Sequence, residues 1–286
     1  MHAKGELAKY IFLLALPAWT CAHGQTPTVQ PAIPPLVQRA LTAELHATED
    51  KSHPMCYQLR RSSPQLTSTR KICETRDGAV AILVALNDRP LNGTDETKEQ
   101  TRLKSLLDNP DRQRHRKQVD DADMARLLRI LRALPTAFTY RPAGVEPGVD
   151  GPLERFSFVP NPSFAPPNME TVAMTQMSGE IWIDSNRGRI ARLEGRLQQD
   201  VNFGWGILGQ LDKGGWLRIE QGDVGGGQWR ITRFQMDMNG RVLIKSRKFS
   251  SDQRLTTFMP VSADLSYQQA IRTMLDDHSQ TRLQSH

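Results

Sequence analysis

The chain has 286 residues, 38% of them hydrophobic, and carries a net charge of +6. That length suffices to bury the core of one large domain or two small ones. After the N-terminal segment no stretch approaches the roughly 18 consecutive apolar residues of a membrane-spanning helix, and the basic balance points to an anionic surface or a solvated exterior.

The N-terminus reads "MHAKGELAKYIFLLALPAWTCAHGQTPT". Lys4 and Lys9 make a positive start, and the apolar run Ile11 to Leu16 is too short to span a bilayer. Ala22 and Gly24 put small residues at −3 and −1 of a cut before Gln25. This pattern predicts a secretory signal peptide over 1–24, cleaved after Gly24, and an exported, soluble chain of charge +5. Pro17 argues against a buried N-terminal helix. Of the three cysteines, Cys21 leaves with the signal. Cys56 and Cys73 remain, and in an oxidising compartment they predict one disulfide. A lipid anchor on Cys21 is the rival reading, and Trp19 fits it poorly.

Residues 25–36 form a proline-rich linker. A single domain follows over 37–276, with a flexible tail over 277–286. Leu36, Ala40, Leu41 and Leu45 recur at helical spacing and predict a helix over 36–48. "MCYQLRRSS", "LTSTRKICETR" and "AVAILVALND" read as a three-strand meander, which puts Cys56 and Cys73 on neighbouring strands. From 94 to 134 the chain reads as a helical insert. One helix starts at Thr94 or Asp95 and ends at Asn109–Pro110. Another carries Met124, Leu127, Leu128, Leu131 and Leu134 on one stripe and stops at Pro135. Between them lies the basic cluster Arg112, Arg114, His115, Arg116 and Lys117 of segment 112–117, read as a solvated helix face or loop, or as a contact for an anionic partner. No aromatic residue interleaves it, which argues against nucleic acid.

From Ala137 onward strand follows strand. "ETVAMTQMS" reads as one of them. "GEIWIDSNRGRIARLEGRLQQDV" is a hairpin turned at Ser185–Gly188. Its second strand turns Ala191, Leu193, Gly195 and Leu197 to one side and charge to the other, as in an antiparallel sheet with one wet face. "GDVGGGQW" and Asn239–Gly240 read as hairpin turns, and a short C-terminal helix closes the chain. Segregated helices and strands predict an α+β fold, with a curved antiparallel sheet forming a half-open β-barrel.

Reaction chemistry is absent from the pattern. The seven histidines are scattered, no Gly-x-Ser-x-Gly elbow occurs, and the glycine cluster lacks the Lys and Ser/Thr of a phosphate loop. Asp184 is the one carboxylate at a strand end, and a turn explains it. We therefore expect no catalysis, no cofactor and no metal.

The stretch "VNFGWGILGQLDKGGW" stands apart, apolar and glycine-rich between charged neighbours. Phe203, Trp205, Ile207 and Leu208 are expected to fold back on the apolar face carrying Leu193 and Leu197. Two readings are open. The stretch either plugs the core or, with Trp182, Leu193 and Leu197, walls or gates a ligand cavity.

"GEIWIDSNRGRIARLEGRL", with its Trp-Ile-Asp strand end and alternating return strand, resembles the hairpins of outer-membrane lipoprotein-sorting proteins, the LolA/LolB-like half-barrel carriers. "NDRPLN", "LPTAFTY", "FVPNPSFAPP" and "VNFGWGILGQLDKGG" resemble a family of secreted bacterial proteins of the same outline. The resemblance implies a half-open barrel with helices as a lid, an apolar cavity that shields lipid chains, and no catalytic residues. The 94–134 insert departs from the carrier pattern. Two functions follow as expectations. One is an envelope protein that binds a lipid or acyl chain, with basic residues near the rim for an anionic head group. The other is an envelope scaffold with a filled core.

Overall fold

A computed structural model describes residues 32–203, 209–242 and 245–284, with side chains as far as residue 276. α1 (Pro35–Glu49) opens the fold. β1 (Met55–Ser62), β2 (Thr67–Cys73), β3 (Val80–Leu86) and the two-residue β4 (Arg89–Pro90) form a meander. α2 (Gly93–Leu107) and α3 (Pro110–Ala137) follow. Next come β5 (Phe138–Pro147), β6 (Pro152–Pro160) and the single turn α4 (Met169–Val172), which continues as a 3-10 turn to Gln176. β7 (Met177–Asp184), β8 (Arg189–Leu197), β9 (Val201–Phe203), β10 (Gly209–Leu211), β11 (Trp216–Asp223), β12 (Trp229–Val242) and β13 (Lys245–Pro260) complete the strands, and α5 (Tyr267–Gln284) ends the chain.

Among the described residues the strands form one antiparallel sheet of 13, in the order β4-β3-β2-β1-β13-β12-β11-β8-β7-β6-β5, with the β9–β10 ribbon paired to the far end of β12. Its end strands do not meet, so the sheet is a curved, unclosed half-barrel. The α+β expectation holds.

Several local expectations are corrected. α3 is one 28-residue helix that takes in the whole basic cluster, and Pro135 lies inside its last turn. There the missing N–H removes only one hydrogen bond close to the helix end. Most of the apolar stripe on α3 is half-buried, and Leu127 is 40% exposed, because α3 leans on α1 and β5 instead of lying along the sheet. "ETVAMTQMS" begins as helix. The Asn168 side chain accepts the Thr171 N–H at 3.2 Å and starts a turn there. Asn239–Gly240 is no turn but strand, since β12 runs on to Val242. Gly240 serves close approach instead: a Cβ there would lie 2.4 Å from the Gln210 carbonyl oxygen of β10. In β8 a bulge opposite Trp182/Ile183 puts Ile190, not Ala191, in the core with Leu193.

Register fixes the two faces of the sheet. Ile181, Leu193, Ile219, Phe234 and Gln253 lie opposite one another across five strands and share the inner face. Under α1 and the end of α3 that face packs a cluster of Val37, Leu41, Ala137, Phe138, Phe156, Phe158, Ile181 and Ile190. The outer face alternates with it. Along β8, β11, β12 and β13 it carries ion pairs such as Arg218–Glu220 (2.8 Å) and Arg233–Asp252 (2.9 Å). The meander differs. α2 and α5 cover its outer face, burying Leu103, Leu106, Ile271 and Met274 on Cys56, Cys73, Val80 and Ile82. Being covered on both faces explains why "VAILVAL" is a continuous apolar run without alternation.

The edges are covered by different means. On β3, the Leu83 N–H donates to Glu99 of α2 at 2.7 Å, and Arg102 donates to the Ala81 carbonyl at 2.6 Å. Arg102 also grips Glu99 through two bonds of 2.7 Å. One ion pair thus caps edge groups that a second strand would otherwise take. On β5, Pro142 and Pro147 remove donors, and Gly144, at φ +124°, makes a bulge.

Cys56 pairs directly with Cys73 across β1 and β2, and the two form a disulfide with Cα atoms 4.0 Å apart. Replacing both with alanine is expected to lower stability by about 3 kcal/mol, the loop-closure value for a link of this span, read from urea unfolding of the oxidised and variant proteins. Equal unfolding midpoints would contradict this. Glu99 supplies a pH dependence. Burial raises its pKa, but the bonds from Arg102 and Leu83 outweigh that and hold it below the ordinary carboxylate value. Its contribution is therefore complete above the unfolded value of about 4.3 and is lost as pH falls through the folded value. Glu99→Gln should lose less stability than the native chain between about pH 5 and pH 3. Parallel stability curves over that window would contradict the assignment.

Candidate functional site

The inner face is filled at one end and open further along. α1 lies over β7 and β8, α3 reaches β5, and α2 and α5 lie against β3. Among the described residues no helix packs extensively on β12 or β13, and α1 reaches β11 at Gln221. There the inward residues Leu217 and Ile219 of β11, Phe234 and Met236 of β12 and Leu255 of β13 are all half-buried and apolar. They arise from simple alternation in "WLRIE" and "RFQMDM", with Arg218, Glu220, Gln235 and Asp237 turned outward. Leu193 stands opposite Ile219 and links this row to the packed cluster under α1.

The row has defined ends. At one end Leu197, 1% exposed, lies beside Met238, both buried, and Gly215 spares room for them, since a Cβ there would meet Met238 at 3.2 Å and Leu197 at 3.5 Å. At the other end Leu255 joins Met55, Tyr57, Leu59, Ile72 and Phe258, with the Tyr57 and Phe258 rings stacked at 5.4 Å. Between α1 and this face sits a buried polar contact. Glu44 accepts from Arg189 at 3.0 Å and from Gln221 at 3.3 Å, which fixes how α1 lies over β8 and β11. Trp229 Nε1 donates to the Ile190 carbonyl at 2.8 Å and ties β12 to the same region.

The residues expected from sequence divide as follows. Leu193 and Leu197 share the inner face. Phe203 ends β9 opposite Gly209, half-buried. Trp182 lies on the other face. It sits between Ile181 and Ile183 in β7, so alternation turns it outward, where Arg192 stacks over its ring at 4.8 Å. It therefore does not join Leu193 and Leu197 in one wall. Trp205, Ile207, Leu208, Cys21 and Gly24 lie outside the described residues. Asp184 performs the turn assigned to it, accepting the Arg187 N–H at 2.8 Å. Sequence reasoning passed over Leu217, Ile219, Phe234 and Met236. Their alternation was visible, but only register shows that they continue the row begun by Leu193.

A cavity of about 450 Å³ lies elsewhere, between the C-terminal half of α3 and the loop after β6, lined by Arg129, Arg132, Asn161, Phe164 and Pro167 among others. Its two arginines already pair with Glu170 and Glu49, so it offers no unmatched charge, and none of the expected site residues lines it. The basic cluster is helical. Arg114 pairs with Asp111, Lys117 with Asp121 at 2.5 Å, and Arg112 donates to the Ser105 hydroxyl at 3.2 Å. Among the described residues no three His, Cys, Asp or Glu side chains come together as metal ligands, and no helix is long and apolar enough to cross a membrane.

No family model matches the chain, and no curated protein matches it. Two solved structures are similar to it. One is a putative outer membrane lipoprotein-sorting protein domain from Vibrio parahaemolyticus, 9% identical, covering 78% of this chain and 93% of that one, with a TM-score of 0.31. The other is a LolA superfamily protein from Nitrosomonas europaea, 10% identical, covering 77% of this chain and 92% of that one, with a TM-score of 0.28. The functional reading rests on this chain's own geometry.

Proposed function

We propose that this chain is an exported envelope protein that binds a lipid or other apolar ligand along the inner face of its half-barrel and catalyses no reaction. The observation that carries this reading is the half-buried apolar row Leu217, Ile219, Phe234, Met236 and Leu255, which the described helices leave without extensive cover. Apolar area left part-wet is worth about 25 cal/mol per Å² when a ligand covers it, and contiguous apolar surface of this kind marks binding sites. The N-terminal segment and the disulfide support export into an oxidising compartment. The net positive charge suits an anionic envelope surface.

A second reading is an envelope scaffold, and the packed cluster under α1 favours it, because that half of the inner face leaves no room. The two separate on binding of a fluorescent long-chain alcohol. Phe234→Asp is expected to weaken binding at least about tenfold, the cost of placing a charge in an apolar contact. Val159→Asp, on the outer face at 45% exposure, should leave binding unchanged. An intact chain that binds no probe, or a Phe234 variant that binds as well as the native chain, favours the scaffold.

A further inference from the structure

The apolar row runs toward a cationic rim. From Leu255 the register leads to Leu59 of β1 and from Leu59 to Arg70 of β2. The start of α3 lies beside the β2–β3 turn. Gln113 donates to the Asp77 carbonyl at 2.9 Å, and Lys117 packs against Gly78. Arg116 stands between those two anchors on the same helix. It is half-buried, and its Nε is buried with no hydrogen-bond partner.

The neighbours of Arg116 relieve it only in part. Burial and then repulsion from Arg102, Arg112 and Arg70 hold its pKa below the ordinary value, with Asp120 acting the other way. Arg102 is already engaged with Glu99, and Arg112 with Ser105. A guanidinium partly withdrawn from water, crowded by its own sign and with a buried Nε that lacks an acceptor is costly to hold. An anion supplies both the charge and the acceptor.

We propose that the ligand is an anionic amphiphile, its carboxylate or phosphate head on Arg116 where α2 meets α3 and its alkyl chain along the half-buried Leu255, Phe234 and Ile219; this rests on the reading of the inner face as the ligand cleft. From β2 to β11 there are four strand spacings, about 19 Å, and that span sets the length of alkyl chain the site requires. The head group belongs to a fatty acid or to a phosphate-bearing lipid, and the shared chemistry is a single anion on a long alkyl chain.

The test uses the full mature chain and displacement of a fluorescent long-chain alcohol. Palmitate, hexadecyl phosphate and uncharged hexadecanol are compared, and inorganic phosphate is titrated separately by calorimetry. The native chain should prefer one or both anionic amphiphiles over hexadecanol by about tenfold or more, the scale of a charge-assisted hydrogen bond. Which of the two is preferred distinguishes the carboxylate source from the phosphate source. Arg116→Gln should abolish the preference and leave hexadecanol affinity unchanged, and Arg116→Lys should retain part of it. If Arg116→Gln weakens all three alike, the residue is structural and the proposal falls. An unchanged preference in that variant also overturns it, as does inorganic phosphate binding as tightly as the amphiphiles, which would mean a simple anion site. Hexadecanol binding with no anionic preference removes the head-group assignment and leaves the cleft standing. Failure of every chain to displace the probe, or of the probe to bind, removes the cleft and this proposal with it.

Discussion

An unclosed sheet is the constraint from which the rest of this molecule follows. Curving 13 strands without closing them leaves two edges and one concave apolar face to be covered. The helices are distributed to meet that need. α2 sends Glu99 and Arg102 to the exposed backbone of β3, while prolines and a bulge blunt β5. α3, about 42 Å long by its residue count, leaves the β2–β3 end at Gln113 and leads directly into β5, so it ties together the two sides that the sheet does not join. Most of its apolar stripe stays half-buried because a strut across a gap has no sheet beneath its middle.

Covering the edges does not fill the concave face. Helices pack its β5–β8 half, and Tyr57, Leu59 and Phe258 pack together toward its β1–β3 end. The stretch on β11 to β13 lies between these two clusters, meets one of them at Leu255 and stays half-buried. Its outer side is a ladder of ion pairs, each exposed enough that water screens it and each worth little singly. That ladder keeps the convex face wet, and it leaves the inner row as the surface with most to gain from a partner. The disulfide stands apart from this site. It staples the meander under α2 and α5 and so holds rigid the strands that carry one end of the row.

How much of this was legible depended on the range of the interaction. Period-2 alternation in "RIARLEGRL" and the spacing of Cys56 and Cys73 are local signals, and they gave the hairpin, the wet face and the bridge. The half-open outline followed from counting strands against helices. Other features are set by contacts distant in sequence. Gly240 looks like a turn residue next to Asn239, yet its smallness answers the Gln210 carbonyl on another strand. Trp182 reads as a ligand wall until its place between Ile181 and Ile183 is set against the register. Arg116 reads as one cation in a solvated run, and only the fold shows that its Nε is shut away from water with no acceptor. The row on β11 to β13 alternates plainly, but nothing local says which strand lies beside which.

The central claim is that the inner face holds an apolar chain. Native mass spectrometry of the protein purified without detergent tests it most directly. The account predicts a population heavier than the bare chain by one amphiphile, with that ligand released on unfolding and reloaded on incubation with palmitate. The bare mass alone, both as purified and after incubation, would contradict it.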